Sequence, residues 1–493
     1  MPRNPTSIRT ILATVCCVLM GMSGCNDRRD APSIDRDSIP DTPKVNAADS
    51  VKPNPPGQVT EAKTPRNEPP TKDLRPQQVF RPDDRRPPHD DARLIEAGIR
   101  LFESERLKLY TDIDADVART LPGLIDQAYV DWEEYLGPLP PDRAGTDFQM
   151  TGYLMRDRAL FRDLGLVPEE FVIEHGRHLR NEFWMQDQAY AYYQRHLLIH
   201  EATHCFMTYM PDVRAPVWYL EGMAEYFAAH HLDSEKQAMF RVMPTSRGEF
   251  KGFDRITTIR DDFAANQFKT MTSIFAFKPV EFSTVPHYAW SWALCMFLDR
   301  TPRYHERFQK LSRSTVGGQL PQMFEELFKG DERDLATEWT LFAANLLYGY
   351  DLARAAIDFQ SGVALVDEQS VPVNADRGWQ SSGVRLEKDK VYKIAASGRF
   401  ALGNHPKPWV SEPRGITFRY FDGRPIGMLL GCLRTEEGPA GGEGEPMLQN
   451  FAIGRGLEFK APVTGTLYLR LNDAWNSLQD NRGRVDATIR HAE

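Results

Sequence analysis

His200-Glu201-Ala202-Thr203-His204 sets two imidazoles four positions apart, with a carboxylate directly after the first. Four residues is slightly more than one helical turn, so on a helix both rings leave one face and can hold one metal ion. Glu201 can reach a metal-bound water without ligating the metal. That chemistry is metal-assisted hydrolysis with Glu201 as general base. A chain of this composition gives such a pattern by chance roughly 0.02 times. The competing reading is a helix with two surface histidines. Leu197, Leu198, Ile199, Cys205, Phe206 and Met207 argue against it, because they make the helix a buried one, where unpartnered polar groups are costly.

Catalytic zinc takes three protein ligands and keeps one open position. With sixteen residues between it and His204 comes Glu221, in Trp218-Tyr219-Leu220-Glu221-Gly222-Met223-Ala224-Glu225. Glu221 and Glu225 are again one helical turn apart. Two carboxylates on one face of an apolar helix are expensive unless something positive meets them, and a zinc–histidine cluster would. Glu221 can ligate, while Glu225 accepts the other ring N–H of a ligand histidine.

The pair H-E-x-x-H and E-G-x-A-E resembles the gluzincin metallopeptidases, the group of thermolysin and aminopeptidase N, over residues 91–355. The resemblance implies that His200, His204 and Glu221 hold zinc and that Glu225 stands behind them. The G-x-M-E-N motif that captures a free amino terminus is absent, which points away from aminopeptidase activity and leaves an endopeptidase, the expected class, or another exopeptidase. An oxyanion donor besides zinc is expected within Val285–Ser291. In the aminopeptidase branch a tyrosine opening a helix plays this part, and Tyr288 matches by position, with His287 as the alternative. Glu182 to Gln188 is the candidate edge strand for a substrate backbone. The other histidines read blandly. His196 stands behind the ligands or on the surface, His230 and His231 suit a helix C-terminus, and His175 and His178 lie in a solvated loop.

These residues need elements to position them. Tyr190 to Met210 reads as a long helix stopped by Pro211, and Pro216 to His230 as a second. A third covers roughly Tyr288 to Leu298, with further helices to about Phe359. Upstream, Leu107–Thr111 and Phe148–Met155 read as strands and Asp116–Tyr135 as a helix. Beyond residue 360, short period-two runs separated by glycine and proline (Val384–Leu386, Tyr392–Ala395, Ile416–Tyr420, Leu467–Leu471, Val485–Ile489) predict an all-β sandwich. The expected fold class is therefore an α+β zincin-like metallopeptidase domain, 91–359, followed by a β-sandwich, 360–493.

Composition bounds the rest. At 493 residues more than one folded domain is expected. A net charge of -9 leaves no basic excess to neutralise phosphates, which disfavours nucleic-acid binding. Between Asn26 and Asp90 lie thirteen prolines, with Phe80 as the single aromatic. Such a segment cannot offset its ordering entropy, so 25–90 reads as an extended tether. Arg3 and Arg9 precede the short apolar run Ile11–Met20, which suits a secretory signal at 1–24. Its end, Met22-Ser23-Gly24-Cys25, resembles the bacterial lipoprotein signal. That resemblance implies a lipid on Cys25, membrane attachment at the cell envelope, and an outer-membrane preference from Asn26. Cys205, Cys295 and Cys432 remain, too few for a disulfide framework, with a Cys205–Cys295 bridge left open.

Within Leu471–Gly483, Asp473, Ser477, Asp480 and Asn481 bring four oxygen-bearing side chains into nine residues, as calcium prefers. The spacing resembles the calcium loop of the PA-I galactophilic lectin family, and the likeness covers 371–493. It implies a calcium- and carbohydrate-binding module. That family's sugar-contacting His and Gln have only a faint echo at His405-Pro406. The expected whole is a lipid-anchored zinc metallopeptidase acting on peptides or proteins, with a lectin-like module for cell-surface carbohydrate. Its competitors are an envelope carbohydrate-binding protein with a degenerate zincin domain and a zinc hydrolase of non-peptide substrates.

Overall fold

The computed structural model describes residues 79–210, 215–313, 319–403, 407–438, 440–442 and 444–492. The signal 1–24, Cys25, the tether to residue 78, Pro211 and His405-Pro406 lie outside the described residues. Residues 76–493 form one compact unit.

Apolar residues alternating along short segments build a five-stranded sheet from β1 (Arg100–Glu103), β2 (Leu107–Thr111), β3 (Met150–Met155), β4 (Gly176–Leu179) and β5 (Glu182–Gln186). The order is β1-β2-β3-β5-β4, with β4 at the edge, antiparallel to β5. Both faces are covered, so the central β3 is buried at every position. Leu107, Leu109, Met150, Leu154 and Phe183 join the main core, while Tyr110, Tyr153 and Trp184 join a second core behind the sheet. Glu182–Gln188 was the expected edge strand. It is instead internal, because β4, which the charged sequence around His178 disguises, pairs outside it.

The sheet carries α1 (Leu121–Leu136), α2 (Ala191–Thr208) and α3 (Val217–Ala228). The expected helix from Asp116 breaks before α1, whose first turn holds Pro122. From His196 to Met207 every residue of α2 is buried. The third helix of the site, α5 (Val285–Arg300), follows α4 (Arg255–Ala264) and starts earlier than expected, with Pro286 in its first turn. Gly222 lets α3 and α5 approach: a Cβ there would stand 2.6 Å from the Ser291 carbonyl and 2.7 Å from Cys295 Sγ. The buried Asp299 of α5 ties three helices together, accepting from Tyr135 of α1 at 2.7 Å and Tyr226 of α3 at 2.5 Å. Cys205 and Cys295 are free buried thiols, so the bridge is not formed.

After the last short helix, Leu352–Ala355, the chain is β-rich and forms two six-stranded sheets. The strand Gly465–Leu471 is buried along its whole length. Leu467, Leu469 and Leu471 face the space between the sheets, whereas Tyr468 joins the core of the helical part with Leu430, Cys432, Trp379 and Trp475. One hydrophobic core thus runs from the helices onto the outer face of this sheet. Helix α6 (Glu332–Asn345) adds polar contacts, with Thr337 Oγ1 donating to Glu445 at 2.9 Å and Arg434 paired with Asp334. The tether ends sooner than expected. Arg81 is buried, its backbone N–H donating to the Pro141 carbonyl at 3.1 Å and its Nε to Asp84 at 2.7 Å, so 79–90 packs on the folded part.

Candidate metal centre

Helices α2 and α3 bring His200, His204 and Glu221 together. The two Nε2 atoms are 3.1 Å apart, and Glu221 Oε2 lies 3.2 Å from His204 Nε2 and 3.4 Å from His200 Nε2. Ligands about 2.0–2.1 Å from a tetrahedral zinc stand about 3.3–3.4 Å from one another, so the three atoms match a zinc triad with one corner free. The charges agree. Of the three glutamates here, Glu225 is paired with Arg255, and a divalent ion would balance the charge that Glu201 and Glu221 add. Burial raises the Glu221 carboxyl, yet the His204 and His200 rings hold it well below the usual carboxylate range. Burial likewise disfavours charge on His200, but Glu221, Glu225 and Glu201 raise it to about 9.

Glu225 is fully enclosed. Arg255 grips both its oxygens, His196 Nε2 lies 3.1 Å from Oε2, and His200 Nδ1 stands 3.5 Å from Oε1. His196, His200 and Glu225 are also close enough to hold an ion. The guanidinium across both Glu225 oxygens makes that cluster a poor cation site, so the Glu221 triad is the better one.

Glu201 lies against the edge strand. A Cβ at Gly176 of β4 would overlap Glu201 Oε1, so only glycine leaves the carboxylate its place. His178 of β4 stacks on His204 with ring centroids 4.5 Å apart, and its Nδ1 is 3.8 Å from Glu201 Oε2. The solvated-loop reading of His178 therefore fails. Tyr288 enters from α5, its ring 6.1 Å from that of His200, and burial together with Glu221 pushes its phenol up. His287 turns toward Phe277 and lies 3.0 Å from Thr284 Oγ1. His200, Glu201, Glu221 and Tyr288 line a cleft of about 780 Å³, bounded by Gly176 and Arg177 on one side and Val280 and Val285 on the other.

Sequence reasoning missed Arg255, whose only signal was the need of two buried glutamates for a cation. His230 meets the C-terminal end of α3 as a neutral ring, its Nδ1 2.8 Å from the Ala228 carbonyl. It is buried after α3, its Nε2 accepts from Arg195 at 3.1 Å, and burial lowers it to about 3.

In the β-rich part, Asp473, Ser477 and Asp480 line one hollow of about 210 Å³ with Gly403 and Trp409. Asn481 lies behind it. Its Nδ2 donates to Asp473 Oδ2 at 3.0 Å, and its Oδ1 is buried without a partner. Burial raises the Asp473 carboxyl.

Residues 196–316, which carry the triad, Arg255 and Tyr288, match a family model described as a protein of unknown function (DUF1570). No curated protein matches the chain. Among solved structures, the chain is similar to the EclA N-terminal domain, a PllA-like lectin, at 22% identity and a TM-score of 0.20. That match covers 25% of this chain and 95% of the other. It is similar to the IMPa metallopeptidase from Pseudomonas aeruginosa at 12% identity and a TM-score of 0.16, covering 48% of this chain and 23% of that one. It is also similar to PliG of Aeromonas hydrophila, a periplasmic inhibitor of g-type lysozyme. There the identity is 6% and the TM-score 0.15, over 25% of this chain and 84% of that one.

Proposed function

We propose that this chain is a zinc-dependent peptidase of gluzincin type. The observation that carries the reading is the convergence of His200 Nε2, His204 Nε2 and Glu221 Oε2 within 3.1–3.4 Å, with Glu201 beside them in an open cleft. Bound zinc would supply Lewis acidity and a water of lowered pKa. Glu201 is the general base: it takes a proton from the attacking water and passes it to the leaving amine. Tyr288 donates its O–H to the carbonyl oxygen as charge builds there. β4, unpaired on its outer edge among the described residues, holds an extended substrate backbone by strand addition. A substrate laid along an edge strand with both ends free suits an endopeptidase.

In the same reading the β-rich part is a calcium- and carbohydrate-binding module centred on Asp473, Ser477, Asp480 and Asn481. A lipid on Cys25, the first residue once the signal 1–24 is removed, tethers the whole to the cell envelope. Digestion of a peptide library with and without chelator, beside metal analysis of the purified protein, tests the proposal. Zinc at one per chain and chelator-sensitive cleavage are expected. Ester hydrolysis without peptide cleavage would move the chain to the non-peptide hydrolases, and neither activity would leave a binding protein.

A further inference from the structure

Arg470 lies on the strand Gly465–Leu471, paired with Leu430 on the sheet face that meets the helices. It is 3% exposed. Its Nη2 donates to the Asp473 carbonyl at 2.6 Å, its Nε lies 3.4 Å from the Leu471 carbonyl, and its guanidinium sits 3.8 Å over the Trp475 ring. Among the described residues no carboxylate pairs with it directly, and the charges of Asp473 and Asp422 reach it only from farther away. Burial lowers it to about 10, which leaves it cationic at neutral pH. Trp475 is also buried, and its indole N–H has no acceptor.

Both residues line a cleft of about 340 Å³ between helices and sheet, with Arg260 of α4, Trp379, Asn345 and Asp422. Arg470 and Arg260 bring two guanidiniums to a lining whose one carboxylate, Asp422, is exposed. A buried guanidinium is normally matched by an anion, and its fork suits a planar or tetrahedral oxyanion. The volume lies at the small end of ligand sites.

We propose that this seam cleft binds a small oxyanion, a carboxylate, sulfate or phosphate on a body no larger than one sugar ring, with Arg470 and Arg260 meeting the charge. The site shares no residue with the metal cleft, so it stands whether or not the chain is a peptidase.

Titration calorimetry on the full chain at fixed ionic strength tests it, with sodium phosphate, sulfate and glucuronate as probes and chloride as the control. At least one probe is expected to bind saturably at one per chain. Which one does so separates a free inorganic anion from an acidic sugar. Arg470→Lys keeps the charge but loses the fork and should weaken binding about tenfold. Arg260→Ala, at an exposed position, should weaken it at least ~3-fold without affecting folding. Should Arg470→Lys fail to fold, Arg260→Ala decides alone. No saturable heat from any probe, or Arg260→Ala binding as wild type does, would overturn the proposal.

Discussion

Arg255 holds Glu225 by both carboxylate oxygens, Nε 3.0 Å from Oε2 and Nη2 2.8 Å from Oε1, in a site where both residues are almost fully buried. The pair explains how α3 can carry two glutamates on one apolar face. Glu221 is left to the histidines, and Glu225 is neutralised from α4. Through His196 and His200, Glu225 then fixes the angle at which α2 presents its rings.

Arg255→Met should therefore act on metal binding without touching a ligand. Removing one partner of a buried pair costs roughly 3–5 kcal/mol of stability. Zinc affinity should fall about 10–100-fold as His200 loses its orientation. Competition with a chromogenic chelator measures this. Wild-type affinity in a folded variant would show that Glu225 needs no fixed cation.

Glu201→Gln keeps the ligand atoms and removes the base. Zinc content should stay at one per chain while turnover drops at least ~100-fold. Gly176→Ala should approach the same result from the other side, because the added methyl must displace the Glu201 carboxylate. Near-wild-type hydrolysis by Glu201→Gln would remove Glu201 from the chemistry.

Glu221→Ala and Glu225→Ala separate ligand from support. The first should purify without zinc; the second should retain it, with affinity or activity lowered about 10–100-fold. Metal analysis of both variants decides. An empty Glu225→Ala would mean that the His196, His200 and Glu225 cluster is the true site.

What the sequence could reveal followed from local spacing. The turn-spaced pairs His200/His204 and Glu221/Glu225 needed only helical geometry, and period two exposed the strands of the β-rich part. Contacts between distant segments left no such trace. Arg255 and His178 reach the site from α4 and β4, elements whose own sequences look solvent-facing. The buried outer face of Gly465–Leu471 was equally hidden, because its covering partner, the helical part, begins more than a hundred residues upstream. Gly222 and Gly176 looked like ordinary glycines until the atoms that crowd them were in place.

Glu338 gives stability a pH dependence of its own. Burial pushes its carboxyl up to about 7 from the ordinary 4.5, although Tyr304 donates to it at 2.7 Å and the Ile357 N–H at 2.7 Å. Between pH 4.5 and 7 the native state keeps a proton that the unfolded chain has released. The contribution is whole below the unfolded pKa and lost as pH rises through the native one. At about 1.4 kcal/mol per pH unit, the loss amounts to at most roughly 3 kcal/mol. Glu338→Gln should remove this slope, so that it is more stable than wild type at pH 7.5 relative to pH 4.5. Urea unfolding of both proteins at the two pH values measures the difference, in which all other groups cancel.

Calcium should stabilise the β-rich part through the loop after Asn472. Asp473, Ser477 and Asp480 meet in one hollow, and the buried Asn481 Oδ1 lacks a donor. Oxygen ligands of mixed type on a short loop suit calcium better than magnesium, which demands tight octahedral geometry. Asn481 Nδ2 already donates to Asp473 Oδ2, so the ion must compete with that bond, and affinity should be modest. Because the β-rich part shares its core with the helices, the measurement belongs on the whole chain rather than on a fragment that would expose Tyr468 and Trp475. At millimolar calcium the melting temperature should rise with concentration, as for any ligand of the native state alone. Magnesium should do less, and Asp473→Ala should abolish the shift. Zinc is held saturating throughout, so that the metal centre adds nothing to the difference. A melting temperature that ignores calcium would make Asp473 a structural acceptor for Asn481. A calcium shift without glycan binding would keep the ion and discard the sugar.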